Sequence, residues 1–389
     1  MLNTAFEPWP SFTQAEADAV SKVLLSNKVN YWTGQECREF EKEFAQFAGT
    51  KYAVAVSNGT VALDLALKAL GIGAGDDVIV TSRTFLASAS SIVTAGANPI
   101  FADVELDSQN ISRRTIEAVL TPNTKAIICV HLAGWMCDMD PIMQLAEEKG
   151  LFVIEDCAQA HGAQYKGQPA GSIGHIGAWS FCQDKIMTTG GEGGMVTTND
   201  ENLWKAMWSY KDHGKNFDSI YNKQHPPGFR WLHDSFGTNW RMMEMQAVIG
   251  RLQLKEMPQW TEKRIENMSR IWNVFENSPY FIVAKPSSDY VHAAYKCYVQ
   301  VNQDQLPEGW SRDRIMAEIN ALGVPCFSGS CSEVYLEKAF DDTSWRPEQR
   351  LTQAQQLGET SLMFLVHPTL SKMSIDKMIA AITMVINQI

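Results

Sequence analysis

The chain has 389 residues, of which 45% are hydrophobic and 20% charged, with a formal net charge of -11. That length suits one large α/β domain with a smaller companion, and that composition belongs to an ordered, packed protein. The acidic balance and the lack of a Lys/Arg block argue against a general nucleic-acid binder, whose phosphate contacts need clustered cations.

The opening residues MLNTAFEPWPSFTQAEADAV show no basic start leading into an apolar core. No run of about 18 apolar residues occurs either. The expectation is a cytoplasmic protein without a membrane partner. From 53 to 200, short β-branched or apolar runs alternate with helical patterns, which predicts a mainly parallel sheet covered on both faces. The predicted strands are AVAVS (53–57), VIVTS (78–82), PIFADV (99–104), AIICVH (126–131), LFVIED (151–156), GAWSF (177–181) and GMVTT (194–198). After the first, SNGTVALDLALKALGIG reads as a helix with Asn58 as N-cap, Leu63, Leu67 and Leu70 at helical spacing, and Gly71 or Gly73 at its end. A further helix is expected from Arg241 to about Phe275, with Pro258 marking a break or kink. The domains divide there, into a large domain at 1–250 and a smaller α+β domain at 251–389. In the latter, AYKCYVQV (294–301), a helix from Ser311 to Leu322, GVPCF (323–327), a helix near Gln353 to Glu359 and a last helix from Ser374 to about Ile386 follow in order. The eight cysteines form no C-x-x-C pair and read as reduced, packed thiols.

Chemistry concentrates at the predicted strand ends. SFCQDK (180–185), followed by the Gly-rich TTGGEGGM (188–195), puts Lys185 just beyond a strand, on the edge where α/β sheets bind ligands. Asp156 closes LFVIED on the same edge. SNGT (57–60) joins the first strand to its helix, so its N–H groups and the Thr60 hydroxyl suit a phosphate at a helix N-terminus. Phe85, in TSRTFLAS, is placed to stack on a ring. Each of these has a plainer reading: a solvated lysine, a helix N-cap at Asp156, an ordinary turn at Gly59 and Thr60, a core phenylalanine. Together they supply what a pyridoxal-5′-phosphate (PLP) enzyme needs, namely a lysine for the Schiff base, a carboxylate for the pyridine nitrogen, a ring face and phosphate donors. Lys185 and Asp156 are therefore the expected catalytic pair. His131, His161 and His367 read equally as structural or substrate-facing. Their spacing fits no zinc motif, and no metal is expected. No G-x-G-x-x-G follows the first strand, which sets aside a Rossmann-type nucleotide binder.

The ordered motifs S-N-G-T, T-F-L-A, E-D-C-A-Q-A-H-G, S-F-x-x-x-K and G-x-N-x-R-M resemble the DegT/DnrJ/StrS family of PLP-dependent sugar aminotransferases, and WTGQECREFEKEFA (32–45) extends the likeness along the chain. The resemblance implies the α/β fold of type I PLP enzymes: a large domain with a mainly parallel seven-stranded sheet and a smaller α+β C-terminal domain. It also implies that Lys185 is the Schiff-base lysine and proton shuttle, and that Asp156 is the pyridinium partner. Gln159 would lie beside the ring's phenolic oxygen, Gly59, Thr60 and Ser180 on the phosphate, and Phe85 over one ring face. Asn239, in GTNWRM, would reach the phosphate of the other subunit's cofactor and so require a homodimer. On the residues alone it equally reads as an N-cap for the helix starting near Arg241. Lysine at 185, where some members carry histidine, disfavours the dehydrating branch. The tripeptide Cys182-Gln183-Asp184 and one additional glycine in GGEGG depart from the usual pattern. By resemblance the donor is L-glutamate and the acceptor a nucleotide-linked keto sugar, with C4 of a UDP- or dTDP-linked 4-keto-6-deoxyhexose preferred over C3, for surface polysaccharide or glycan assembly. Trp32, Lys211, His213, Arg230, Arg241 and the SGSCS stretch around Ser330 are the expected sugar-side groups, because aromatic faces and polar loops suit a sugar nucleotide.

Overall fold

A computed structural model describes residues 5–225 and 231–389; Arg230 thus lies outside the described residues. Seven strands, β1 (Tyr52–Val56), β2 (Asp77–Thr81), β3 (Asn98–Ala102), β4 (Thr124–Val130), β5 (Phe152–Asp156), β6 (Ile176–Ser180) and β7 (Gly194–Thr198), form one sheet in the order β1-β7-β6-β5-β4-β2-β3. Neighbours pair in parallel from β6 across to β3, while β7 runs antiparallel to both β6 and β1. The predicted strands are all present, each within about two residues at its ends, as expected where capping decides the limits. Every residue of β2, β6 and β7 is buried, the mark of strands covered on both faces. Alternate side chains feed two cores: Ile79, Ile127 and Val153 pack with Phe40 and Phe44, and Val78, Val80 and Ile154 pack with Leu63 and Leu67.

A single helix, Glu244–Phe275, joins the two halves of the molecule. It runs through Pro258 without ending, so of the break or kink expected there the break is corrected. Its 32 residues span about 48 Å. Ala247 and Met257 pack into the large core, and Met268, Ile271, Trp272 and Phe275 into that of the small domain. A division at 250/251 thus falls inside a continuous helix, and we propose that the helix is a spine shared by both domains. The smaller sheet is antiparallel, in the order Phe281–Ile282, Cys297–Val301, Ser361–Phe364, Cys326–Phe327. The strand expected from 294 starts only at Cys297 because Ala294 is left-handed, with φ 49°. Ser311 and Ser371 cap the flanking helices Arg312–Ala321 and Lys372–Ile386, each accepting from the third residue of its helix. Fully buried Arg83 fastens the domains: it donates to Gln109 Oε1 (2.9 Å) of the large domain and to Ser332 Oγ (2.7 Å) and Ser361 Oγ (3.0 Å) of the small one. Among the described residues no helix is long and apolar enough to cross a membrane.

Candidate active site

The carboxyl ends of β1, β5 and β6 converge, and three of the sequence-derived groups meet there. Asn58 caps the helix Gly59–Ala69, its side chain accepting from Val61 N at 3.0 Å. The helix N-terminus therefore opens at the sheet edge with Gly59 first and Thr60 exposed. A side chain on Gly59 would lie 2.5 Å from Ser180 Cβ and 2.8 Å from Ser180 Oγ. Glycine is needed here for close approach rather than for an unusual φ. Beside Ser180 on the same sheet surface, a Cβ on its cross-strand partner Gly194 would come within 2.3 Å of the Asn58 carbonyl. The result is a tight cradle of backbone N–H groups and one serine hydroxyl at a positive helix end.

Asp156, 5% exposed, sits on the same edge. One carboxylate oxygen accepts from Ser88 Oγ at 2.8 Å and the other from Ala158 N at 3.1 Å. No helix follows it, so the plain N-cap reading falls away. Burial raises its pKa, and the bonds from Ser88 and Ala158 and the nearby Lys185 oppose that only in part. Among the described residues no cation stands within ion-pair distance of it. A buried carboxylate with only neutral bonded partners is suited to a cationic ring nitrogen. Lys185 is half-buried, its Nζ 5.3 Å from the ring centroid of Tyr295 and 3.9 Å from Asp184 Oδ1. Phe85 is 70% exposed rather than a core residue, so its ring is free to cover another. Gln159 is buried, and its carbonyl oxygen accepts from Ala133 N at 2.8 Å, which leaves its amide nitrogen as the available donor. The additional glycine of GGEGG is accommodated in a turn where Gly190 (φ 87°) and Gly191 (φ 125°) both take positive φ.

Several supporting residues escaped the sequence reading. Ser88, which holds Asp156, lay in the stretch that supplied Phe85. Ala133 (φ 58°) and Ala294 (φ 49°) both hold left-handed backbone at the domain junction, where Ala293 N donates to Gly134 O and Tyr295 N to Ala133 O, each at 2.9 Å. That docking delivers Tyr295 to Lys185, and the Tyr295 hydroxyl donates to Asp184. Trp9, 176 positions away in sequence, donates its indole N–H to the Lys185 carbonyl at 2.8 Å. Such remote contacts leave no local pattern.

Of the three histidines, His131 and His367 bond protein groups, while both ring nitrogens of buried His161 lack a hydrogen-bond partner among the described residues. His131 bonds Glu155 through Nε2 (2.8 Å) and accepts from Cys137 N through Nδ1 (3.1 Å). Glu155 also accepts the N–H groups of Gly171, Ile173 and Gly174. Burial works against its charge, yet His131, Gly174 and Gly171 outweigh it and hold its pKa below the usual range. His131, Glu155 and Cys157 lie within 4.8 Å of one another, but the first two are already bonded through the atoms a metal would need. His161 packs between Trp179 and Phe181, and His367 stacks on Trp9 and bonds Thr369.

The expected sugar-side groups separate. Lys211 is buried against Glu41 at 3.1 Å and lies over the Tyr31 ring, which corrects its assignment to the sugar. Trp32 and Arg241 both donate to the buried carboxylate of Asp212, at 2.7 and 2.5 Å, and Trp240 accepts from Ser57 N. They brace the loop that carries Gly59. Exposed Asn239 pairs through its backbone with Asp212, and the next helix begins only at Glu244 after Met243, so the N-cap reading is corrected. His213 is exposed with φ 60°, and Ser330 N donates to Tyr298 Oη at 2.8 Å.

With the cradle, the buried acid and the lysine in place, comparison with known proteins is decisive. A model of the DegT/DnrJ/EryC1/StrS aminotransferase family matches residues 10–383. The chain belongs to this family. Among its relatives, the GDP-perosamine synthase of Caulobacter vibrioides is 37% identical over 354 residues, 90% of this chain and 89% of that protein. The dTDP-3-amino-3,4,6-trideoxy-alpha-D-glucose transaminase of Streptomyces venezuelae is 31% identical over 98% of this chain and 94% of its own length. The crystal structure of the aminotransferase from Psychrobacter cryohalolentis superposes with a TM-score of 0.98 at 65% identity, over 99% of this chain and all of that one. DegT-family aminotransferases are PLP enzymes, and the residues of this member fit that group on the terms just described, an unneutralised buried Asp156 and a cradle closed by Gly59 and Ser180.

Proposed function

We propose that this member moves an amino group from L-glutamate to a nucleotide-linked keto sugar and works as a homodimer. The observation that carries the reading is the presence of buried Asp156, bonded only by neutral groups, with Lys185 and the Gly59–Ser180 cradle at one sheet edge. PLP bound there supplies an electron sink that lets a carbon next to nitrogen lose its proton. The protein's own residues would do the rest. Gly59, Thr60 and Ser180 hold the phosphate, and Phe85 covers the ring. Asp156 keeps the ring nitrogen protonated, and the Gln159 amide nitrogen donates to the phenolic oxygen. Lys185 would anchor the cofactor and, in each half-reaction, move a proton between the substrate carbon and the cofactor, with its backbone fixed by Trp9.

Support for a dimer comes from aromatic rings that water would otherwise meet: Trp231 at 92% and Phe236 at 98% exposed. Exposed Asn239 is proposed to reach the phosphate in the second copy. His213, Ser330 and Arg230 are proposed for the sugar side, while Trp32 and Arg241 act there by bracing. C4 of a 4-keto-6-deoxyhexose is the preferred acceptor position. The name of the Streptomyces relative favours a second reading, transfer to C3. The names of the relatives also add GDP to the UDP and dTDP carriers to be screened.

The test is a visible absorbance scan of purified, PLP-loaded protein before and after L-glutamate. Loss of the cofactor band, followed by its return with one of the keto sugars, is the expected result. A band that L-glutamate leaves unchanged refutes the donor, and protein that never takes up PLP refutes the site.

A further inference from the structure

Charge is out of balance around Tyr295. Lys185 Nζ stands 5.3 Å and Lys296 Nζ 4.6 Å from the centroid of its ring. The acid of this group, Asp184, accepts the Tyr295 hydroxyl through one oxygen and stands 3.9 Å from Lys185 Nζ through the other, which leaves Lys296 unanswered. Arg264, on the spine helix, is 1% exposed, with its Cζ 4.9 Å from the Trp9 ring centroid and its Nε and Nη2 groups unpartnered. Among the described residues no carboxylate lies within ion-pair distance of Arg264 or Lys296. His367 cannot help, because burial, Arg264 and Lys296 push its pKa down to about 3 and keep it neutral. The other deeply buried cations are provided for: Lys211 has Glu41, and Arg83 has three hydrogen-bond acceptors.

Uncompensated charge in a half-buried site costs stability unless an anion answers it. Burial first, then Arg264 and Lys185, draw the Lys296 ammonium down to about 8 despite the pull of Asp184. Lys296 is the accessible member, only half-buried, whereas Arg264 is sealed and acts through its charge. We propose that Lys296, backed by the buried charge of Arg264, seats a carboxylate of the amino donor. The inference rests on the aminotransferase reading above and gives that reading a donor-recognition residue. A donor whose amine stands at Lys185 carries its carboxylates on the same short carbon chain, and Lys296 is the next ammonium around the Tyr295 ring. The diphosphate of a sugar nucleotide is held further off, beyond the sugar ring.

The test is calorimetric titration of the PLP-loaded enzyme, wild type and Lys296→Met, with glutarate, which has both carboxylates but no amine to react, and separately with UDP. Lys296→Met should weaken glutarate by about 10- to 100-fold, the range of a lost hydrogen bond to a charged group, and leave UDP unchanged. Lys296→Arg, which keeps the charge, should restore most of the glutarate affinity, and the Lys296→Met loss should reappear as a raised KM for L-glutamate with little change in kcat. Equal glutarate affinity in wild type and Lys296→Met overturns the proposal, as does weakening of UDP alone or of both ligands alike. The aminotransferase reading is judged apart from this, by whether wild type loses its cofactor band to L-glutamate at all.

Discussion

Adding one methyl group at Gly59 tests the cradle directly. The new Cβ of Gly59→Ala would lie 2.5 Å from Ser180 Cβ, 2.8 Å from its Oγ and 3.0 Å from its Cα. Carbon atoms rest about 3.5–4.0 Å apart, so the loop must retreat from β6 by about 1 Å. Its freedom to do so is limited by Asn58, which is committed to Val61 N and whose carbonyl lies close on Gly194, the cross-strand partner of Ser180. Overpacking of this kind costs about 1–3 kcal/mol, and the N–H donors move off their hydrogen-bonding distance. Donors displaced by that much should lose a comparable amount of binding free energy at the phosphate, and PLP affinity should drop by about 5- to 150-fold. The collision is with protein atoms and exists without cofactor, so the better helix propensity of alanine, roughly 0.5–1 kcal/mol, offsets it only in part and the apo protein's Tm should fall modestly. The assay is a PLP titration of apo-enzyme followed by visible absorbance, with thermal melts alongside. In a double-mutant cycle, Ser180→Gly should relieve part of the Gly59→Ala penalty, since it removes the Cβ that collides. A Gly59→Ala enzyme that binds PLP within about twofold of wild type would refute the reasoning, because the steric contact on which it stands would then have no consequence at the phosphate.

Three further outcomes are expected. Asp156→Asn keeps the shape but not the charge, and should slow both half-reactions by about 100-fold or more with the Tm little changed; near-normal single-turnover rates would exclude Asp156 as the pyridinium partner. Trp9→Phe keeps the aromatic contacts to Arg264 and His367 but removes the donor to the Lys185 carbonyl, a loss of about 1 kcal/mol; kcat should fall severalfold while nucleotide affinity stays put, and an unchanged kcat would show that Lys185 needs no such anchor. Glu155 has a folded pKa below its unfolded value, so its contribution to stability is present above about pH 4.3 and is lost as pH falls through the folded value. Glu155→Gln should therefore flatten the acid limb of a denaturant-midpoint profile, and an acid limb as steep as in wild type counts against this.

The parts of the site that lie on a strand end or the turn after it were legible in the sequence. Hydrophobic runs set the strands, a glycine or an N-cap sets each turn, and the mainly parallel topology that such alternation implies puts the carboxyl ends of all the strands but β7 on one edge. Lys185, Asp156, Gly59 and Ser180 could be brought together on paper for that reason. What only the tertiary structure decided are the contacts between segments that share no local pattern. Trp9 finds Lys185 across 176 residues, and Arg83 finds Ser332 and Ser361 across the domain junction. Lys211 and Arg241, polar residues that suited a ligand by type, are instead consumed by Glu41 and Asp212. Lys296 sat unnoticed in a strand-like run, and its place beside Tyr295 depends on the left-handed turn at Ala294 that docks on Ala133. Periodicity records which face a residue turns to its own element. Whether its charge is then answered depends on what the rest of the chain packs against it.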